Sequence, residues 1–221
     1  MNENLEIKHE KSSEVHEVAA GAVINLLGNI GRLSHFAFDI IAARVLGQNV
    51  FGYFSTTWFI INLSFIFCYF GAHRLVIDFV AKNRETDEDE YYRGILSCIV
   101  LSYVLSGLLV LLVYLFAHDL ALFLRKSPIE GYLKIMCWSA PFYCTTTILL
   151  SATRGIKIMR FWVYVRSVIE PFIDLIALCA VFFIFVSLNG PFYAKIAGFI
   201  FGSFLGVFFF QKHFSLKKIF R

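Results

Sequence analysis

The sequence has 221 residues, of which 58% are hydrophobic and 16% charged, with 26 phenylalanines and a formal net charge of +4. A soluble domain is roughly half apolar and a quarter charged, and spreads that charge over its surface. Here the charges are packed into short segments between long apolar runs, which excludes a soluble enzyme and points to an integral membrane protein that crosses the bilayer about six times. The basic residues form neither an arm nor a stripe, so no nucleic-acid partner is expected.

Residues 1–17 form a polar, mostly acidic tail. A secretory signal would set a basic start directly before a short apolar stretch, and this tail does not; the first span itself is expected to direct insertion. Crossing roughly 30 Å of hydrocarbon takes about 20 helical residues. Six apolar runs meet that length, near 18–43, 53–72, 95–117, 132–153, 165–188 and 192–210. The chain therefore divides into the tail, a transmembrane lobe over 18–210 and a basic tail over 211–221. Pro141 and Pro171 fall inside spans, where proline kinks a helix but is tolerated in lipid.

Lys and Arg near the span ends set the orientation. One side collects Lys8, Lys11, Arg74, Lys82, Arg84, Arg93, Arg154, Lys157, Arg160, Arg166 and the C-terminal Lys212, Lys217, Lys218 and Arg221. The other side receives little beyond Arg44, Arg125 and Lys126, so both termini are expected in the cytoplasm. The short turns at 46–52 and at Asn189-Gly190-Pro191 make spans one and two, and spans five and six, antiparallel neighbours; Gly47 suits a helix C-terminus. The acidic loop over 82–92 reads as a solvated linker. The five cysteines lie in or near apolar runs without metal-ligand spacing and read as reduced packing residues.

Ionisable groups in hydrocarbon usually face a bundle interior or a water-filled cavity. In span one Asn25, Asn29, Arg32, His35 and Asp39 recur at helical spacing on a face about 120° wide, so this span is expected to line a polar interior. His35 reads first as a packed, hydrogen-bonded residue. In span five Arg166, Glu170 and Asp174 follow at i, i+4, i+8. Arg166 reads as an anchor at the cytoplasmic edge, and Asp174 lies near mid-membrane at a depth similar to Arg32, so the two are expected to face one cavity as an ion pair. A purely structural pair that fixes helix register is the other reading.

Lys195, in the outer part of span six, is expected to snorkel, with a pair to Asp39 as the alternative. Gly198, Gly202 and Gly206 form a GxxxGxxxG face, a helix-packing device. Around Arg154, Lys157 and Arg160 basic and apolar residues alternate. Positive-inside anchoring explains this stretch, and a phosphate-attracting entrance for an anionic lipid headgroup is the sharper reading. No phosphate loop, zinc signature or nucleophile elbow occurs, so neither an enzyme nor a cofactor is expected.

Gly28-Asn29-Ile30-Gly31-Arg32, Ala43-Arg44-Val45-Leu46-Gly47 and Phe51-Gly52-Tyr53-Phe54 resemble the opening of bacterial polysaccharide flippases of the multidrug/oligosaccharidyl-lipid/polysaccharide exporter superfamily. Phe70-Gly71-Ala72-His73-Arg74, Phe79-Val80-Ala81-Lys82 and Ser151-Ala152-Thr153-Arg154-Gly155 are similar in order and spacing. The resemblance covers most of the chain from about Ala20 and implies one six-helix lobe of a two-lobed exporter in the bacterial inner membrane, working by alternating access. A second lobe or a homodimer is then the expected protein partner, beside membrane lipids. The implied cargo is a polyprenyl-diphosphate-linked oligosaccharide. Arg32 becomes a candidate diphosphate contact; Asn25, Asn29 and His35 become candidate sugar contacts; and Glu170 and Asp174 become candidate proton or cation sites. A drug/cation antiporter lobe of the same superfamily and a non-transporting scaffold for polysaccharide assembly are the rival readings.

Overall fold

A computed structural model of the chain describes residues 3–69, 71–83, 88–156, 158–185, 189–212 and 214, with side chains described from residue 26 onward except at 27, 32, 88, 89, 91, 184 and 185. Every regular element among them is helical. In chain order these are α1 (Glu3–Tyr69), α2 (Ala72–Asn83), α3 (Glu88–Phe123), α4 (Ile129–Met136), α5 (Ser139–Gly155), α6 (Arg160–Trp162), a π-helix (Val163–Ile169), α7 (Glu170–Phe185) and α8 (Gly190–Gln211).

The 67 residues of α1 would reach about 100 Å as one straight helix, far beyond a bilayer. They do not run straight. Gly47, at φ 74° and ψ 167°, folds the element into two arms. Phe38 and Phe54, which an unbroken helix would hold about 24 Å apart, have ring centroids 5.8 Å apart. The arms are therefore antiparallel and correspond to the first two predicted spans. A second left-handed glycine, Gly71 at φ 76°, separates α1 from α2, and its carbonyl accepts from the N–H groups of Arg74 and Leu75 at 2.9 and 3.3 Å. Positive φ is open to glycine at little cost, which is why the chain turns at these positions.

Among the described residues four stretches are long and apolar enough to cross a membrane: Gly28–Asn83, Tyr92–Phe123, Ile129–Gly155 and Gly190–Gln211. The first contains two predicted spans, and the predicted fourth span is broken at Cys137 and Trp138, between α4 and α5. Pro141 lies four residues after Cys137, so it has no N–H to offer the Cys137 carbonyl, and its ring crowds that oxygen. The carbonyl accepts from the Ala140 N–H instead, at 3.1 Å. In the fifth predicted span α7 alone has only 16 residues, and the π-helix and α6 extend it. Pro171 removes the donor for the Ser167 carbonyl in the same way, within a segment whose Glu170 N–H reaches back five residues to Val165 O.

α1, α4, α5, α7 and α8 enclose the main core, around Phe38, Phe54, Phe65, Phe192 and Phe199. A second core joins α2, α3, α5 and α8 around Val76, Ile95, Ile148 and Phe210. Large apolar side chains also face outward, among them Phe59, Leu115, Phe183 and Phe208. Such a surface is untenable in water and is the natural one against lipid tails. The molecule is an all-helical, multi-pass membrane protein.

Candidate functional site: a buried charge row between the fifth and sixth spans

The fifth span and α8 carry four buried charges in series. Arg166 comes from the π-helix, Glu170 and Asp174 from α7, and Lys195 from α8. Arg166 Nη1 donates to Glu170 Oε2 at 2.9 Å, with side-chain exposures of 12% and 8%. Its other nitrogen donates to Thr147 Oγ1 at 2.5 Å and to the Tyr143 carbonyl at 3.3 Å, and its guanidinium stacks 4.0 Å over the Tyr143 ring. Arg166 is thus clamped between α5 and α7. Glu170 Oε1 is buried and has no hydrogen-bond partner among the described residues.

One turn further along α7, Asp174 Oδ2 accepts from Lys195 Nζ at 2.6 Å. Lys195 does not snorkel: its residue exposure is 3%, and its ammonium lies 4.5 Å from the Phe38 ring centroid and 5.0 Å from that of Trp58. The reason is energetic. A desolvated ammonium is held by one carboxylate at hydrogen-bond distance and by two negative ring faces. The two cations and two anions sum to zero, which a low-dielectric interior favours over any unpaired charge.

Glycine makes room for the row. A Cβ at Gly198 would overlap Asp174 Oδ1, and one at Gly202 would overlap Glu170 Oε1. At Gly206 a Cβ would make only ordinary contact, 3.5 Å from Thr146. The first two glycines therefore seat carboxylates, and the third lies against α5. On the opposite side, Gly31 of α1 presses on the carbonyl of Ser167, where any Cβ would overlap the oxygen. Gly28 nearby leaves 3.7 Å to Val163.

The predicted face of span one lies beside this site. The arm packs inward through Gly31, Ser34, Phe38 and Ala42, while Asn29, His35 and Asp39 are exposed on the lobe surface. Lys195 acts electrostatically on both His35 and Asp39. The side chains of Asn25 and Arg32 lie outside the described residues, and so does the expected contact of Arg32 with Asp174. The partner described for the Asp174 carboxylate is the ammonium of Lys195. Arg154 and Arg160 sit 5.0 and 5.4 Å over the rings of Trp162 and Phe161; Lys157 lies outside the described residues.

Sequence reasoning missed Tyr143, Thr147, Phe38 and Trp58. Tyr143 and Thr147 share one face of α5 at i, i+4, but nothing in an apolar span marks an aromatic or a threonine as the ligand of a charge on another helix.

The described residues thus form an all-helical membrane lobe with a row of paired, largely buried charges. Residues 27–169 match the MatE family, and the chain belongs to it, within the exporter superfamily of multidrug and polysaccharide transporters. The match ends just before Glu170, so Asp174 and Lys195 lie beyond it. No curated protein and no solved structure matches the chain.

Proposed function

We propose that this lobe belongs to a flippase that carries a polyprenyl-diphosphate-linked oligosaccharide across the bacterial inner membrane by alternating access. It would work with a second six-helix lobe or a second copy of itself. The observation that carries the reading is the charge balance. Glu170 and Asp174 are each matched by a buried cation, Arg166 and Lys195, so the row offers no spare carboxylate charge to a cationic drug. In the drug/cation antiporter branch the carboxylate for a cationic drug would be Asp39, exposed on α1 outside the row.

The remaining features fit a sugar-bearing cargo. Asn29, His35 and Asp39 form a polar strip on the lobe surface, with Asn25 and Arg32 on the same helical face. In this reading Arg32 meets the diphosphate, and the neutral groups meet sugar hydroxyls. Arg154, Lys157 and Arg160 draw the anionic headgroup towards the cytoplasmic mouth. Glu170, whose Oε1 has no described partner, is the group placed to exchange a proton during the cycle.

The test is Arg32→Ala in the native transporter, scored by glycan export and by resistance to cationic drugs. A flippase loses export while its membrane level holds. An antiporter keeps drug resistance, and a scaffold keeps export.

A further inference from the structure

We propose that Lys195 is a tethered cation. It fills the position beside Asp174 that a sodium-like ion would otherwise occupy, so this chain binds no alkali cation there. The inference concerns the ion and not the cargo, and it stands whether the cargo is anionic or cationic.

Three observations meet at this point. Lys195 Nζ is 2.6 Å from Asp174 Oδ2, and the two side chains are 4% and 8% exposed. The other walls around the ammonium include the ring faces of Phe38 and Trp58 at 4.5 and 5.0 Å. Hard metal cations need a shell of several oxygens, whereas an ammonium is satisfied by one carboxylate and aromatic faces. Finally, Asp174 Oδ1 is pressed on Gly198, which leaves no room for a ligand on that side.

The surrounding charges agree. From its own helix Asp174 has Glu170 one turn away, already bound by Arg166. From α1 His35 and Asp39 lie within the electrostatic range of Lys195. A second cation at Asp174 would add a positive charge to a row that is already neutral. Removing the lysine side chain reverses the situation, because it leaves a buried carboxylate, two ring faces and a volume in which an ion and water fit.

The experiment is thermal unfolding of the full chain in detergent at pH 8, in sodium chloride against choline chloride at equal ionic strength. The wild type is expected to show no sodium-specific change in Tm. Lys195→Ala is expected to gain about 2–4 °C once sodium exceeds its dissociation constant about fivefold. The double variant Lys195→Ala/Asp174→Asn loses that gain. Lys195→Ser, which removes the charge and most of the side-chain volume while adding one oxygen, takes its place if Lys195→Ala does not fold. A sodium-specific rise in the wild type that Asp174→Asn abolishes overturns the proposal. So does a folded, lysine-free variant that ignores sodium. Neither readout involves transport, so failure here is distinct from failure of the flippase reading.

Discussion

Lys195 on α8 and Asp174 on α7 form an ion pair of 2.6 Å in the interior of the lobe, 21 residues apart in sequence. Attraction in a low-dielectric interior offsets the desolvation of both groups only while both are present. Asp174→Asn or Lys195→Met alone is therefore expected to lower stability by about 3–5 kcal/mol, and the double substitution to recover most of it. Thermal unfolding of the four proteins in detergent checks this. A loss in the double variant equal to the sum of the two single losses would mean that the pair does not act as a unit.

The glycine face of α8 should respond unevenly. Gly198→Ala and Gly202→Ala drive a methyl group into Asp174 Oδ1 and Glu170 Oε1, whereas Gly206→Ala meets Thr146 at 3.5 Å. Overpacking is expected to cost about 1–3 kcal/mol at the first two positions and much less at the third. If the face only joined two chains, the three substitutions would instead weaken association together, which cross-linking in the membrane would show.

Gly31→Ala is the matching test on α1. Its Cβ would overlap the backbone oxygen of Ser167, which cannot rotate away as a side chain can. The expected result is a loss of at least about 1–3 kcal/mol, with Gly28→Ala, at 3.7 Å from Val163, close to neutral. A protease-resistance series reads the difference. Similar behaviour of the two variants would place the α1 contact elsewhere.

Arg125 closes α3 in a left-handed conformation, φ 53°. Its N–H bonds to Leu122 O at 2.9 Å and the N–H of Lys126 bonds to Ala121 O at 3.0 Å, the pattern in which glycine is preferred. Arg125→Gly removes the Cβ strain and is expected to raise stability by roughly 1 kcal/mol. An unchanged or lower Tm would show that the arginine side chain makes a compensating contact.

The helical, membrane-spanning architecture was legible because it follows from segment length and apolarity, and both are local properties. The hairpin at Gly47 was legible because a short glycine-bearing turn between two apolar runs leaves the chain little choice. The breaks at Cys137 and in the π-helix were only half legible. Pro141 and Pro171 announce a disturbance and, by counting back four residues, the carbonyl each one frees, but what meets that carbonyl depends on neighbours such as Gly31. Periodicity put Glu170, Asp174 and Lys195 on helix faces, yet it sent Lys195 to the interface rather than to Asp174.

The sequence by itself determined how many apolar runs there are, which stretches carry the positive charge, and which residues share a face of one helix. Those properties depend on composition and on a fixed rotation per residue. Only the tertiary structure decided that Arg166 goes inward to Tyr143 and Thr147, that Lys195 answers Asp174, and that two glycines of α8 seat two carboxylates. Helical periodicity defines a face but carries no information about which helix that face will meet. That depends on how each helix is rotated and where it crosses its neighbours, which the packing of the whole lobe sets through side chains far apart in the chain.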